Sequence, residues 1–208
     1  MAFRRKICWS CMMLFCAILM VVWGLTSCNK VNFDELKSIP TIETKEDQKY
    51  RVYYRKDFGL RFGHQIGNNS VKIDVPTSVQ IMMLDGSFRE VDYYFFREFN
   101  SWFKDVKFEN GIMAINQNET LDCDNFAMLY KSLMSVASYK SKIEQELAVA
   151  LVVVEQKNEF GGIPGTGGLH MLNLIFTSRA WYIFEPQTGE YIELEKYPNQ
   201  KYIRTIII

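Results

Sequence analysis

Cys123 is the only cysteine beyond residue 28, and it sits in Leu121-Asp122-Cys123-Asp124-Asn125-Phe126-Ala127. This stretch reads as the start of a helix. Asp122 is a favoured N-cap type, and Phe126, Tyr130, Leu133, Met134 and Ala137 recur at helical spacing. A sulfur in the first turn meets unpaired backbone N–H groups and the positive end of the macrodipole, which favour a thiolate. That end contributes about 0.3–1 kcal/mol, less than one pKa unit at about 1.36 kcal/mol per unit. Asp122 and Asp124 act against it. A nucleophilic Cys123 therefore needs an imidazolium partner. Without one, the default for a lone helical cysteine is a small apolar packing residue.

The chain holds two histidines, His64 and His170. His64 falls in a turn-rich stretch and reads as a loop residue. His170 opens an apolar run directly after the loop Gly161-Gly162-Ile163-Pro164-Gly165-Thr166-Gly167-Gly168. No Gly-Lys-Ser/Thr ending and no helix follow that loop, so it is not a phosphate loop. If 169–176 and 181–185 form a hairpin, the turn sets their register. A two-residue turn puts His170 opposite Glu185. A four-residue turn puts it opposite Gln187, with Glu185 on the diagonal. Both leave the imidazole and the carboxylate on one face, within cross-strand reach. The alternatives are a satisfied structural histidine and a solvated charge at a strand end. One cysteine and two histidines make a poor zinc set, so no metal and no cofactor are expected.

The elements that must position these groups can be read from periodicity. Phe88, Val91, Phe95, Phe99, Trp102 and Val106 fall on one face, which predicts a core helix over 87–106. A short strand pair is expected around Asn110-Gly111. The Cys123 helix should run to about Tyr139. Strands are expected at 50–55, 71–75, 147–155, 169–176, 181–185, 191–194 and 202–208. The expected fold class is α+β, a Cys-bearing helix packed on an antiparallel sheet.

Residues 1–27 differ in kind. Arg4, Arg5 and Lys6 precede an uncharged apolar run from Ile7 to Leu25, and Leu25-Thr26-Ser27-Cys28 resembles a bacterial lipobox. The resemblance implies a signal peptide over 1–27, acylation of Cys28, and a membrane-anchored protein of the cell envelope, facing the periplasm or exterior. Cys8, Cys11 and Cys16 would leave with the signal, so no disulfide framework is expected. Residues 28–49 read as a polar tether and 50–208 as the folded domain. From residue 28 onward the chain holds 21 basic and 24 acidic residues, a net charge of −3 that gives no footprint for nucleic acid.

Taken together, a Cys at a helix start, a strand carrying His and a strand ending in acid-Pro resemble the transglutaminase-like branch of the papain-type cysteine enzymes. Asp122-Cys123-Asp124-Asn125-Phe126-Ala127, Gly168-Leu169-His170 and Trp181-x-x-x-Glu185-Pro186 carry the resemblance, across roughly 85–195. It implies Cys123 as nucleophile, His170 as base and Glu185 as orienting acid, where many members have Asp. It also implies an oxyanion donor upstream of the cysteine, for which Gln117 has a papain-like spacing. The function so implied is acyl transfer on peptide-like amide bonds of an envelope substrate, by hydrolysis or transamidation. The rival expectation is a membrane-tethered binding module that performs no chemistry. The lipobox reading has its own test: Cys28→Ser should leave an unprocessed precursor, and a mature N-terminus anywhere but Cys28 would exclude it.

Overall fold

The computed structural model describes residues 37–42, 50–54, 79–82, 84–109 and 122–208. The chain divides into two compact units, Met1–Ser38 and Ile39–Ile208. The strands and helices that position the candidate site belong to the second unit. The strands expected at 71–75 and around Asn110-Gly111 lie outside the described residues, as do Cys28, His64 and Gln117.

In chain order the elements are β1 (Val52–Tyr54), β2 (Gln80–Met82), β3 (Ser87–Arg89), α1 (Tyr93–Glu109), α2 (Cys123–Lys140), β4 (Glu146–Leu147), β5 (Val149–Glu155), β6 (Leu169–Phe176), β7 (Trp181–Glu185), β8 (Glu190–Glu193) and β9 (Ile203–Ile207). Six strands form the main sheet in the order β2-β9-β5-β6-β7-β8, and β1-β3-β4 form a second, smaller one. The β5, β6, β7 and β8 neighbours pair antiparallel, as do β5 and β9, but β2 pairs parallel to β9 and β3 parallel to β4.

This corrects the expected fold class. The main sheet is mixed, not antiparallel. The parallel pairings come from β2 and β3, three-residue strands that precede the helices and return to later strands. Three residues are too few to show an alternation, so their partners could not be read from pattern. The run 147–155 also divides, with β4 going to the small sheet and β5 to the main one.

The expected helix over 87–106 starts later, at Tyr93. Ser87–Arg89 is strand β3, and Phe88 is buried there. Asp92 sets the new boundary, since its Oδ1 accepts from the Tyr94 and Phe95 backbone N–H at 2.9 and 3.0 Å. Those are two of the donors a helix start leaves unpaired.

The main sheet is buried on both faces, and side chains divide by the period of two. Leu172, Leu174, Phe176 and Ile183 join Val152 and Val154 in one core. Ile175, Tyr182 and Phe184 join Val149 and the apolar stripes of α1 and α2 in the other. In that second core Tyr130 stacks tilted on Phe184 at 4.4 Å and meets Phe99 and Phe103 edge-on at 5.3 and 5.1 Å. Its hydroxyl donates to Asn100 Oδ1 at 2.6 Å, which ties α2 to α1. Two further polar ties fix α2 on the sheet: Asn173 Nδ2 donates to Ala127 O at 3.0 Å, and Lys131 Nζ to Val149 O at 2.5 Å.

Truncation should separate core from cap. Phe184→Ala is expected to lower the unfolding free energy by about 3–5 kcal/mol, and Asp92→Ala by about 1 kcal/mol. Urea denaturation of the two variants measures both. A cap loss as large as the Phe184 loss would show that α1 is not docked by this aromatic core.

Candidate functional site

Cys123 is the first residue of α2 and is partly buried. Asp122 takes the N-cap position in an extended conformation but makes no side-chain capping bond. Its carboxylate instead lies near Asp124 and raises the pKa of that group. The Asp122 interaction comes first among the causes, followed by partial burial.

His170 and Glu185 come from the β6–β7 hairpin. Its turn is the four-residue one, Thr177 to Ala180, closed by Thr177 N to Ala180 O at 3.1 Å and by the Thr177 hydroxyl to the same oxygen at 2.7 Å. Phe176 faces Trp181 and Asn173 faces Phe184, which places Glu185 on the diagonal from His170. The His170 Nε2 to Glu185 Oε2 distance is 2.5 Å, with Glu185 fully buried and His170 8% exposed. The second Glu185 oxygen accepts from the Gln187 backbone N–H at 2.9 Å. Gly161 closes over the carboxylate stem. It has φ +61°, and a Cβ there would meet Thr188 Oγ1 at 3.0 Å and Glu185 Cβ and Cγ at 3.2 Å.

His170 also interacts with Cys123, which raises the imidazole pKa. Nε2 is occupied by Glu185. Burial pushes the imidazolium down. The Cys123 interaction, with the Glu185 bond and charge, outweighs it and lifts His170 from 6.5 to about 9. A ring so held is cationic at neutral pH. The structure thus brings Cys123, His170 and Glu185 together. Among the described residues no cluster of three His, Cys, Asp or Glu could hold a metal ion, and no helix is long and apolar enough to cross a membrane.

A second constellation was not expected from the sequence. Tyr93 and Tyr94 open α1, Arg179 lies in the β6–β7 turn and Tyr191 is on β8. The Arg179 guanidinium sits 4.2 Å from the Tyr93 ring centre and 4.8 Å from that of Tyr94, and it donates to the Tyr94 hydroxyl at 2.6 Å. Tyr191 packs edge-on to Phe96 at 5.1 Å and to Tyr182 at 5.7 Å. Burial, then the Tyr93 and Glu193 contacts, push the Tyr182 hydroxyl up to about 12, so it stays a neutral donor. Tyr94 is 65% exposed and Tyr191 36%. A signal was present in Tyr93-Tyr94, but it reads as core aromatic content until Asp92 is seen to start the helix.

No family model matches the chain, and no curated protein matches it either. Among solved structures the chain is similar to one described as a PSL1a-E64 complex, at 17% identity and TM-score 0.46, covering 65% of this chain and 44% of that one. It is also similar to Polyporus squamosus lectin bound to the human-type influenza-binding epitope Neu5Aca2-6Galb1-4GlcNAc, at 15% identity and TM-score 0.44, again 65% and 44%. The chain thus spans less than half the length of either. These findings correct the expected membership. No family model, transglutaminase-like or other, matches the chain. The reading as a cysteine protease or hydrolase acting on peptide-like bonds, which rested on that membership, goes with it.

Two outcomes are expected from the triad geometry. Iodoacetamide should alkylate Cys123 at pH 7 several-fold faster in the wild-type chain than in His170→Ala, with a smaller loss in Glu185→Gln; equal rates would make Cys123 a packing residue. His170 also links stability to pH. Its folded pKa lies above the unfolded value of 6.5, so its contribution is complete below about pH 6.5 and is lost as pH rises through about 9. The contribution is on the order of 3 kcal/mol. The urea midpoint should therefore fall between pH 6 and pH 9.5 more steeply in wild type than in His170→Asn, and parallel slopes would show no ion pair.

Proposed function

We propose that the unit from Ile39 to Ile208 is a binding module and that its ligand is a carbohydrate, taken at the Tyr94–Arg179–Tyr191 surface. One observation carries this reading: a solvent-exposed tyrosine is held in place by a guanidinium stacked on it and bonded to its hydroxyl. A sugar offers an apolar C–H face and a rim of hydroxyls. Aromatic rings supply a large apolar face with a polar tip at low entropic cost, and a small set of fixed polar groups orients the ligand. Tyr94 and Tyr191 supply faces. Arg179 on the β6–β7 turn supplies donors, and Glu193, which faces Tyr182 from β8, supplies acceptors. Arg179 is already ordered by its stack, so little side-chain entropy remains to be lost on binding.

Cys123, His170 and Glu185 have a place in this proposal as a reactive thiol site within the module, not as an acyl-transfer centre. Their buried ion pair favours a nucleophilic sulfur.

Titration of the chain with neutral oligosaccharides, monitored by NMR or calorimetry, tests the reading. Tyr94→Ala and Arg179→Ala should each weaken binding about tenfold, roughly 1.4 kcal/mol, while Cys123→Ser should leave it unchanged. Absence of binding at millimolar sugar would overturn the proposal. So would peptide turnover that disappears in Cys123→Ser.

A further inference from the structure

Arg89 lies in the middle strand of the small sheet, opposite Val52 on β1 and Leu147 on β4. Only 8% of it is exposed. Its backbone carbonyl is satisfied, accepting from Ala148 N–H at 2.7 Å. Its side chain is not. Both Nε and Nη2 are closed to solvent and have no hydrogen-bond partner among the described residues. The Tyr50 ring lies 3.4 Å from the guanidinium carbon and covers one face, but a ring over the face gives nothing to donors pointing along the edge.

The pair left open matters. Nε–H and Nη2–H lie on one edge of the planar group and point outward in parallel. That edge is the fork which takes two oxygens of one carboxylate or phosphate. A guanidinium stays protonated at any ordinary pH, so burial cannot neutralise it. A buried cation with two unmet donors is costly, and such costs are met by a counter-charge.

We propose that Arg89 is the anchor of an oxyanion site, which takes two oxygens of a carboxylate or of a phosphate on its Nε–Nη2 edge, with Tyr50 stacked across the guanidinium. The fork is closed to solvent, so the anion enters as the chain folds. The site is independent of the tyrosine surface and of the Cys123 group.

The test is thermal unfolding of the full chain at constant ionic strength, with chloride exchanged for acetate in one arm and for inorganic phosphate in the other. The proposal expects the unfolding temperature of wild type to rise with anion concentration above the chloride baseline, as for any ligand that binds only the folded state. A rise with acetate alone assigns a carboxylate, with phosphate alone a phosphoryl group, and with both the shared oxyanion chemistry. Arg89→Met should lose the rise. If that variant does not fold, Arg89→Lys keeps the charge without the fork and should lose most of it. Equal unfolding temperatures in all three salts, or a rise retained in whichever variant folds, overturns the proposal.

Discussion

A four-residue turn between Phe176 and Trp181 decides which side chains of β6 and β7 meet, and much else depends on that register. It puts Glu185 on the diagonal from His170 rather than directly opposite it. It also sends Ile183 into one core and Tyr182 and Phe184 into the other. A slip of one residue would exchange the two faces, bury the wrong set and separate the carboxylate from the imidazole. Thr177 guards against it by accepting and donating within the turn, from Ala180 and Arg179 N–H and to Ala180 O.

The buried pair then constrains its surroundings. Glu185 is fully enclosed, and a carboxylate in such a place must be matched by charge and hydrogen bonds. His170 and the Gln187 N–H supply them. Gly161 suits its position because it sits at positive φ and a Cβ there would lie 3.2 Å from the Glu185 stem. The helix that brings Cys123 to the pair is held from the other face, by Asn173 to Ala127 and by the Tyr130–Phe184 stack. Packing and electrostatics therefore meet in β6: Asn173 docks the helix, and three residues earlier His170 meets its first residue.

Much of this was legible in the chain, and the limits have physical causes. Strands β6 and β7 have the bounds their apolar runs imply, and the Cys123 helix runs one residue past its expected end. Those segments are long, and periodicity is a strong signal in them. Strands of two or three residues carry no period, so β2, β3 and β4 could not be assigned, and with them went the mixed character of the sheet. Phe88 and Val91 continue the helical stripe of Phe95 and Phe99 by coincidence of spacing, and only Asp92 as a cap separates strand from helix. The meeting of His170 and Glu185 followed from the two candidate turn lengths. The family assignment drawn from the same residues did not hold. A short motif reports local geometry, and function resides in a site rather than in a fold. The Tyr94–Arg179 surface joins residues 85 apart in sequence, and no local pattern announces it.

The central claim is that His170 is a buried cation held between Glu185 and Cys123. Nitrogen-detected NMR titration of the imidazole ring measures this directly, with His64→Gln removing the other histidine. Both His170 ring nitrogens are expected to remain protonated at pH 7.5, with the midpoint of deprotonation near pH 9. A ring already neutral at pH 7.5, with a midpoint near 6.5, would contradict the claim.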